Sequence, residues 1–234
     1  MGPATLPSQQ AELIGTKRGS RMGKIIVFGA GGRAGRAAVG EAVQRGHHVT
    51  AVVRDPDRYR DLEGGAGGSA CSPVMSPTPT PSRTSRTVTT LRSWPPTTLA
   101  PPADVFFRTA AQALLDGLPR AGVGRLVVVG LAAVLETADG TPLMDGPDFP
   151  QEYRPFCVAH AAGAAVLRTS TTALDWLIVS PAGDFDADGT HSGRYSTAAA
   201  DAASRISHHD FAIALLDEID EPRHHRTQVG VETA

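Results

Sequence analysis

Lys24-Ile-Ile-Val-Phe-Gly-Ala-Gly-Gly-Arg-Ala-Gly-Arg36 is the stretch that decides the fold. The apolar run from Lys24 to Phe28 reads as a buried strand, and Gly29 opens a glycine turn. An Ala-rich helical pattern follows through Val39, Ala42 and Val43 and stops at Gly46, where His48-Val-Thr-Ala-Val-Val53 begins a second strand. A strand, a helix and a strand within about 30 residues imply a parallel pair joined by a right-handed crossover.

Working outward, the same alternation returns downstream. Ala103 to Leu118 carries Phe106, Phe107, Ala110, Leu114 and Leu118 at helical spacing, and Leu126-Val-Val-Val129 is a fully apolar strand of the kind a doubly covered parallel sheet requires. Residues 158–168 read as another Ala-rich helix, Trp176-Leu-Ile-Val179 as a buried strand and Asp210 to Ile219 as a last helix. The order predicts an α/β protein, a Rossmann-like doubly wound parallel sheet in a single domain over residues 22–234. Residues 1–21 are polar and aperiodic and are expected to form a disordered leader or tag.

Residues 71–98 do not fit, because Pro, Ser, Thr and Arg crowd the place where the third and fourth strands belong. Back-translated with mostly G or C in the third codon position and read two bases later, the segment becomes LAGDVTDADSVADVADGHDAAVVAAYD. That string supplies a strand end, an Asp- and Ala-rich helix and an apolar strand. Two readings stand side by side: a pair of compensating frame errors, or a low-complexity loop. Taken at face value, the segment is expected to cost the sheet two central strands.

Composition narrows the function. A chain of 234 residues with 41% hydrophobic and 20% charged residues buries a real core, and a formal net charge of -2 with a pI near 6.4 gives no electrostatic basis for nucleic acid or an anionic membrane. No apolar run has the length to span a bilayer and no signal-peptide layout is present, so a cytoplasmic protein is expected. Cys71 and Cys157 are expected to be reduced thiols.

The glycine turn points to a phosphate ligand. Gly29, Gly32 and Gly35 satisfy one spacing, and Gly29, Gly31 and Ala34 another. The first glycine permits the turn, a middle one lets backbone N-H groups approach a pyrophosphate, and the last permits close packing of helix on strand. The helix N-terminus adds partial positive charge. At the end of the second strand, Arg54, helped by Arg33, favours a 2'-phosphate and hence NADP, whereas Asp55 keeps NAD open.

These segments resemble a known family. G-A-G-G-R-A-G-R, V-V-R-D-P, R-L-V-V-V-G, P-D-F-P-Q-E-Y, D-W-L-I-V-S-P-A and S-R-I-S-H-H-D-F-A-I-A-L-L-D-E-I are similar to the atypical short-chain dehydrogenase/reductases. The nearest groups are the NmrA-like, NADH-flavin-reductase-like and biliverdin-reductase-B-like proteins, over residues 22–70 and 99–231. The resemblance implies a nicotinamide cofactor, with Gly130 and Leu131 beside its ribose and Pro181 and Ala182 near its ring. It departs at Gly130-Leu-Ala-Ala-Val134, where the family's Gly-Gly-Ala-Gly-Ser carries a hydroxyl.

Catalytic groups are harder to read. The Tyr-x-x-x-Lys pair of the main short-chain type is absent, since Tyr153 is followed at the fourth place by Cys157. Tyr153, with Arg154 beside it, is the one weak candidate. His160 is expected to be a partly exposed helix residue, Ser207 or Asp210 a helix cap, and Asp184, Asp186 and Asp188 a solvated loop; no metal is expected at His208, His209, His224 or His225. Two functions remain. One is an NAD(P)H-dependent oxidoreductase passing hydride to a flavin, quinone or similar planar small-molecule acceptor, and the other an NmrA-like sensor that binds the dinucleotide without turnover. A homo-oligomer is left open.

Overall fold

The computed structural model describes residues 22–62, 70–73, 85–89, 102–189 and 191–234. The leader lies outside them. In chain order the elements are β1 (Lys24–Phe28), α1 (Arg33–Gln44), β2 (His48–Val53), β3 (Ala70–Pro73), β4 (Ser85–Thr89), α2 (Ala103–Arg120), β5 (Val123–Val129), α3 (Arg154–Thr169), β6 (Asp175–Pro181), β7 (Asp184–Asp186), β8 (Tyr195–Ala198), β9 (Arg205–Ser207), α4 (His208–Asp220) and β10 (Thr227–Thr233).

Eight strands form one sheet in the order β3-β2-β1-β4-β5-β6-β10-β8, parallel throughout except at β8, and β7 pairs with β9 separately. Chain order reverses direction between β1 and β4, which makes their carboxyl ends the switch point where ligands of open α/β sheets bind. Alternate residues of each strand feed two cores. Ile25, Val27, Val127, Val129, Leu177 and Val179 pack under α1 and α4, while Leu126, Val128, Trp176 and Ile178 face α2 and α3 with Ile26 and Phe28. Both faces are covered, which is why the central strands are apolar runs rather than alternating ones.

The sheet corrects several expectations. Residues 85–89 do form a central strand, with Lys24 opposite Ser85 and Phe28 opposite Thr89, and residues 70–73 pair with β2. Two strands therefore survive in the anomalous region, because β-branched Thr87 and Val88 suit a pleated position and both are fully buried. The fit at Thr87 is poor chemically: its hydroxyl has no hydrogen-bond partner among the described residues. The buried stripe of α2 is Phe107, Ala111, Leu115 and Leu118, so Phe106, Ala110 and Leu114 lie to one side of it. Asp184 and Asp186 belong to β7 rather than to a loop. β10 had no counterpart in the sequence reading.

Two polar clusters lock the covering elements to the sheet. At the amino-terminal edge, Arg125 is 5% exposed and reaches Asp175 (2.8 Å), Glu218 (3.1 Å) and the carbonyl of His224 (2.9 Å), tying β5, β6 and α4 together. At the opposite edge, Ser207 caps α4 by accepting from the Asp210 amide, and the buried Asp210 carboxylate receives the amides of Ser192 and Gly193. Burial alone would raise the Asp210 pKa, but those N-H groups, the Ser207 hydroxyl and His191 hold it below its ordinary 3.8.

Three outcomes follow from these contacts. Arg125→Ala removes the buried guanidinium from Glu218, which keeps the amides of Arg223 and His224 and the His224 ring, and is expected to cost about 2 to 3 kcal/mol in urea unfolding, whereas Arg125→Met costs less. Thr87→Val replaces an unpaired hydroxyl with a methyl of equal size and is expected to gain about 1 kcal/mol, so a loss would mean that the hydroxyl finds a partner. The stabilisation from Asp210 is present above its unfolded pKa and is lost as pH falls through the lower folded value. Asp210→Asn should therefore lower Tm at neutral pH and flatten its decline below about pH 4.

Candidate nucleotide-binding site

The turn after β1 is built on its glycines, whose steric demands differ. Gly29 has φ +73°, a left-handed conformation that favours glycine, and its amide and that of Ala30 go to the Val52 carbonyl at the end of β2 (3.2 and 3.4 Å). Gly32 closes the turn by donating to the Gly29 carbonyl (3.0 Å) and stands as the extended N-cap of α1. A Cβ on Gly35 would strike the Gly29 carbonyl oxygen and come within 2.8 Å of the Ala30 Cα. A Cβ on Gly32 would meet only the Gly29 carbonyl oxygen at 3.5 Å, an ordinary contact, so Gly29 and Gly35 are the glycines that the turn itself requires.

The first turn of α1 receives no side-chain cap and contains no acid, in contrast to α4 with its Ser207 cap. Its N-H groups, from Arg33, Ala34 and Gly35 onward, therefore sit at a helix end whose partial positive charge is not neutralised from within the helix. That end lies at the carboxyl edge of β1, beside Arg54 at the close of β2; Arg33 and Arg54 are both exposed. The residues present fit a phosphate-bearing ligand.

Gly130 and Leu131 follow β5, and Pro181 and Ala182 follow Val179 of the adjacent strand β6, so all four lie at this same edge. Gly130 donates to the Val179 carbonyl (2.8 Å), and a Cβ there would strike the Ser180 hydroxyl and come within 2.6 Å of Ile178. Glycine is required at this place by sheet packing as well as by any ligand. Ala182 is fully buried, with its amide given to Val231 (2.8 Å) and its carbonyl accepting from Asp201 (2.9 Å), so it shapes the floor of the edge.

The catalytic candidate stands apart. Tyr153 precedes α3 and is 60% exposed, while Arg154 turns away to Asp145 (2.7 Å) and the Met144 carbonyl (2.7 Å). His160 is buried rather than partly exposed, its ring set at a tilt against those of Phe107 and Phe156. Burial pushes the Cys157 thiol up against the opposing pull of Arg154, which leaves it a poor nucleophile. His224 and His225 pair with Glu218 (2.7 Å) and Asp175 (2.9 Å), and among the described residues no group of three or more His, Cys, Asp or Glu could hold a metal ion. The side chain of Cys71 lies outside the described residues.

Sequence reasoning missed Tyr59. Its ring lies against Gly31, with the guanidinium of Arg36 5.5 Å from the ring centroid and Arg36 itself paired with Asp61. The only signal was an aromatic residue in the charged run just past β2.

Comparison with known proteins agrees with this geometry. Residues 29–222 match the family model described as NAD(P)H-binding. The chain is 33% identical over 209 residues to the uncharacterised protein YwnB of Bacillus subtilis, covering 86% of this chain and 94% of that one. Among solved structures, it is similar to a Streptococcus pneumoniae protein provisionally described as an NADH-flavin reductase, at 29% identity and a TM-score of 0.72, over 91% of this chain and 100% of the other. It is also similar to a Burkholderia pseudomallei protein provisionally described as exported, at 32% identity and a TM-score of 0.71, over 90% and 100%. Among the described residues no helix is long and apolar enough to cross a membrane. A glycine turn at the switch point of a parallel sheet, an uncapped helix end above it and a family match across most of the length lead to one statement: the chain belongs to the NAD(P)H-binding family, with the Rossmann-like sheet of the atypical short-chain dehydrogenase/reductases.

Proposed function

We propose that this protein is an NADPH-dependent reductase of a planar small-molecule acceptor such as a flavin or quinone. The observation that carries the reading is the uncapped N-terminus of α1, set over the glycine turn with Arg33 and Arg54 exposed at the same edge. Backbone N-H groups at Arg33, Ala34 and Gly35 would hold the pyrophosphate, with Gly29, Gly31 and Gly32 giving the turn that brings them close. Arg54 would take the 2'-phosphate through charge-assisted bonds, helped by Arg33. Gly130, Leu131, Pro181 and Ala182 would bound the nicotinamide end at the tips of β5 and β6.

Bound there, the cofactor supplies a hydride to the acceptor. The chain's part is to hold donor and acceptor together and exclude water between them, and positioning of this kind lowers a barrier by roughly 7 to 11 kcal/mol. The exposure of Tyr153 and the commitment of Arg154 to Asp145 argue against a dedicated protein acid, so solvent is the proton source in this mechanism. The same two observations favour the second reading, a dinucleotide sensor without turnover.

Titration with NADPH and NADH, followed by nicotinamide fluorescence, tests the assignment. NADPH is expected to bind more tightly, and Arg54→Glu to weaken it by roughly tenfold or more, the loss of a charge-assisted bond. Binding of neither would sink the reading. Acceptor-dependent NADPH consumption with flavins and quinones then supports the reductase, and saturable binding with no consumption across the panel supports the sensor.

A further inference from the structure

The glycine turn carries one feature that cofactor binding alone does not explain. A Cβ built on Gly31 would lie 2.6 Å from Tyr59 Cζ, 2.7 Å from Cε1 and 3.0 Å from the hydroxyl oxygen. A bare face in the middle of such a turn is where a ligand approaches the backbone. Here the phenol ring fills that face. Tyr59 follows Arg54 by five positions, past the strand end where the adenosine ribose is recognised, so its ring reaches Gly31 from the segment on that side of the turn.

We propose that Tyr59 is a self-occluding cover over the adenosine half of the dinucleotide site, displaced when the cofactor binds. This rests on the dinucleotide reading above. The cover has a strap: the Arg36 guanidinium lies 5.5 Å from the ring centroid, and both of its terminal nitrogens engage the Asp61 carboxylate, two residues beyond Tyr59. Arg36 is on α1, so the strap joins the segment after β2 to the helix that forms the phosphate site. Residues 56–62 form two short turns, and the backbone leaves helical geometry at Tyr59 (φ −126°, ψ 33°), so displacing the ring unwinds no regular helix but does give up its packing against the edge of the core.

A covered and an open state in equilibrium lower apparent affinity by the open fraction. A cation-π strap at a partly exposed site holds such a cover by about two- to fivefold. Because the ring reaches Gly31 from the segment after β2, the penalty falls chiefly on the adenosine diphosphate half of the ligand.

Calorimetric titration of 2',5'-ADP, nicotinamide mononucleotide and NADPH into the full chain and three variants tests this. Tyr59→Ala is expected to bind 2',5'-ADP and NADPH about two- to fivefold more tightly, with nicotinamide mononucleotide changed by a smaller factor. Asp61→Asn, an exposed change that loosens Arg36, should move affinity the same way by a smaller factor, and Tyr59→Phe, which keeps the ring, should match the parent. Unchanged or weaker 2',5'-ADP binding in both Tyr59→Ala and Asp61→Asn, with the parent still binding NADPH, overturns the cover and leaves the dinucleotide reading standing. Failure of every chain to bind NADPH overturns that reading and the cover with it.

Discussion

The contact between Gly35 and the Gly29 carbonyl is the constraint on which the rest of the structure depends. Because no side chain separates them, α1 seats its first turn directly against the turn leaving β1. That seating aims an uncapped helix end at the switch point. It also brings Ala34, Ala38, Val39 and Ala42 down onto the sheet, where small side chains let the helix pack closely. Any side chain at Gly35 would lift α1, open the core beneath it and withdraw the helix end from the ligand edge at once. Stability and binding thus share one steric requirement.

The two polar clusters divide the labour between the ends of the sheet. The Arg125, Asp175 and Glu218 network lies at the amino-terminal edge, where no ligand is expected, and serves only to fix α4 across β5 and β6. Asp210, buried at the other end of the same helix, holds residues 191–193 with amide hydrogen bonds. Each buried charge has an opposite charge or several N-H donors within reach, which is the condition for keeping ions out of water. At the carboxyl edge, by contrast, Arg33 and Arg54 are exposed.

Residues 85–89 show how much a parallel sheet tolerates. A strand in the centre needs apolar, β-branched residues over a few positions only, and Thr87 and Val88 supply the minimum at β4. The polar Thr87 hydroxyl, buried between β1 and β5, marks the residue whose chemistry does not match its place.

The sequence by itself determined the elements whose signals are local. Strands β1, β2, β5 and β6 are apolar runs, the helices carry periodic small and apolar residues, and the glycine spacing marks the turn and its phosphate chemistry; these depend on neighbours within a few positions and so are written in order along the chain. Tertiary structure decided what depends on distant partners. It brought Gly35 onto Gly29, buried His160 between α2 and α3, turned Arg154 to Asp145, and added β10, whose Val229 and Val231 alternate too briefly to declare a strand until β6 lies alongside. It also laid Tyr59 over Gly31, a contact across 28 positions that no local pattern encodes, because only the parallel pairing of β1 with β2 brings the two turns together.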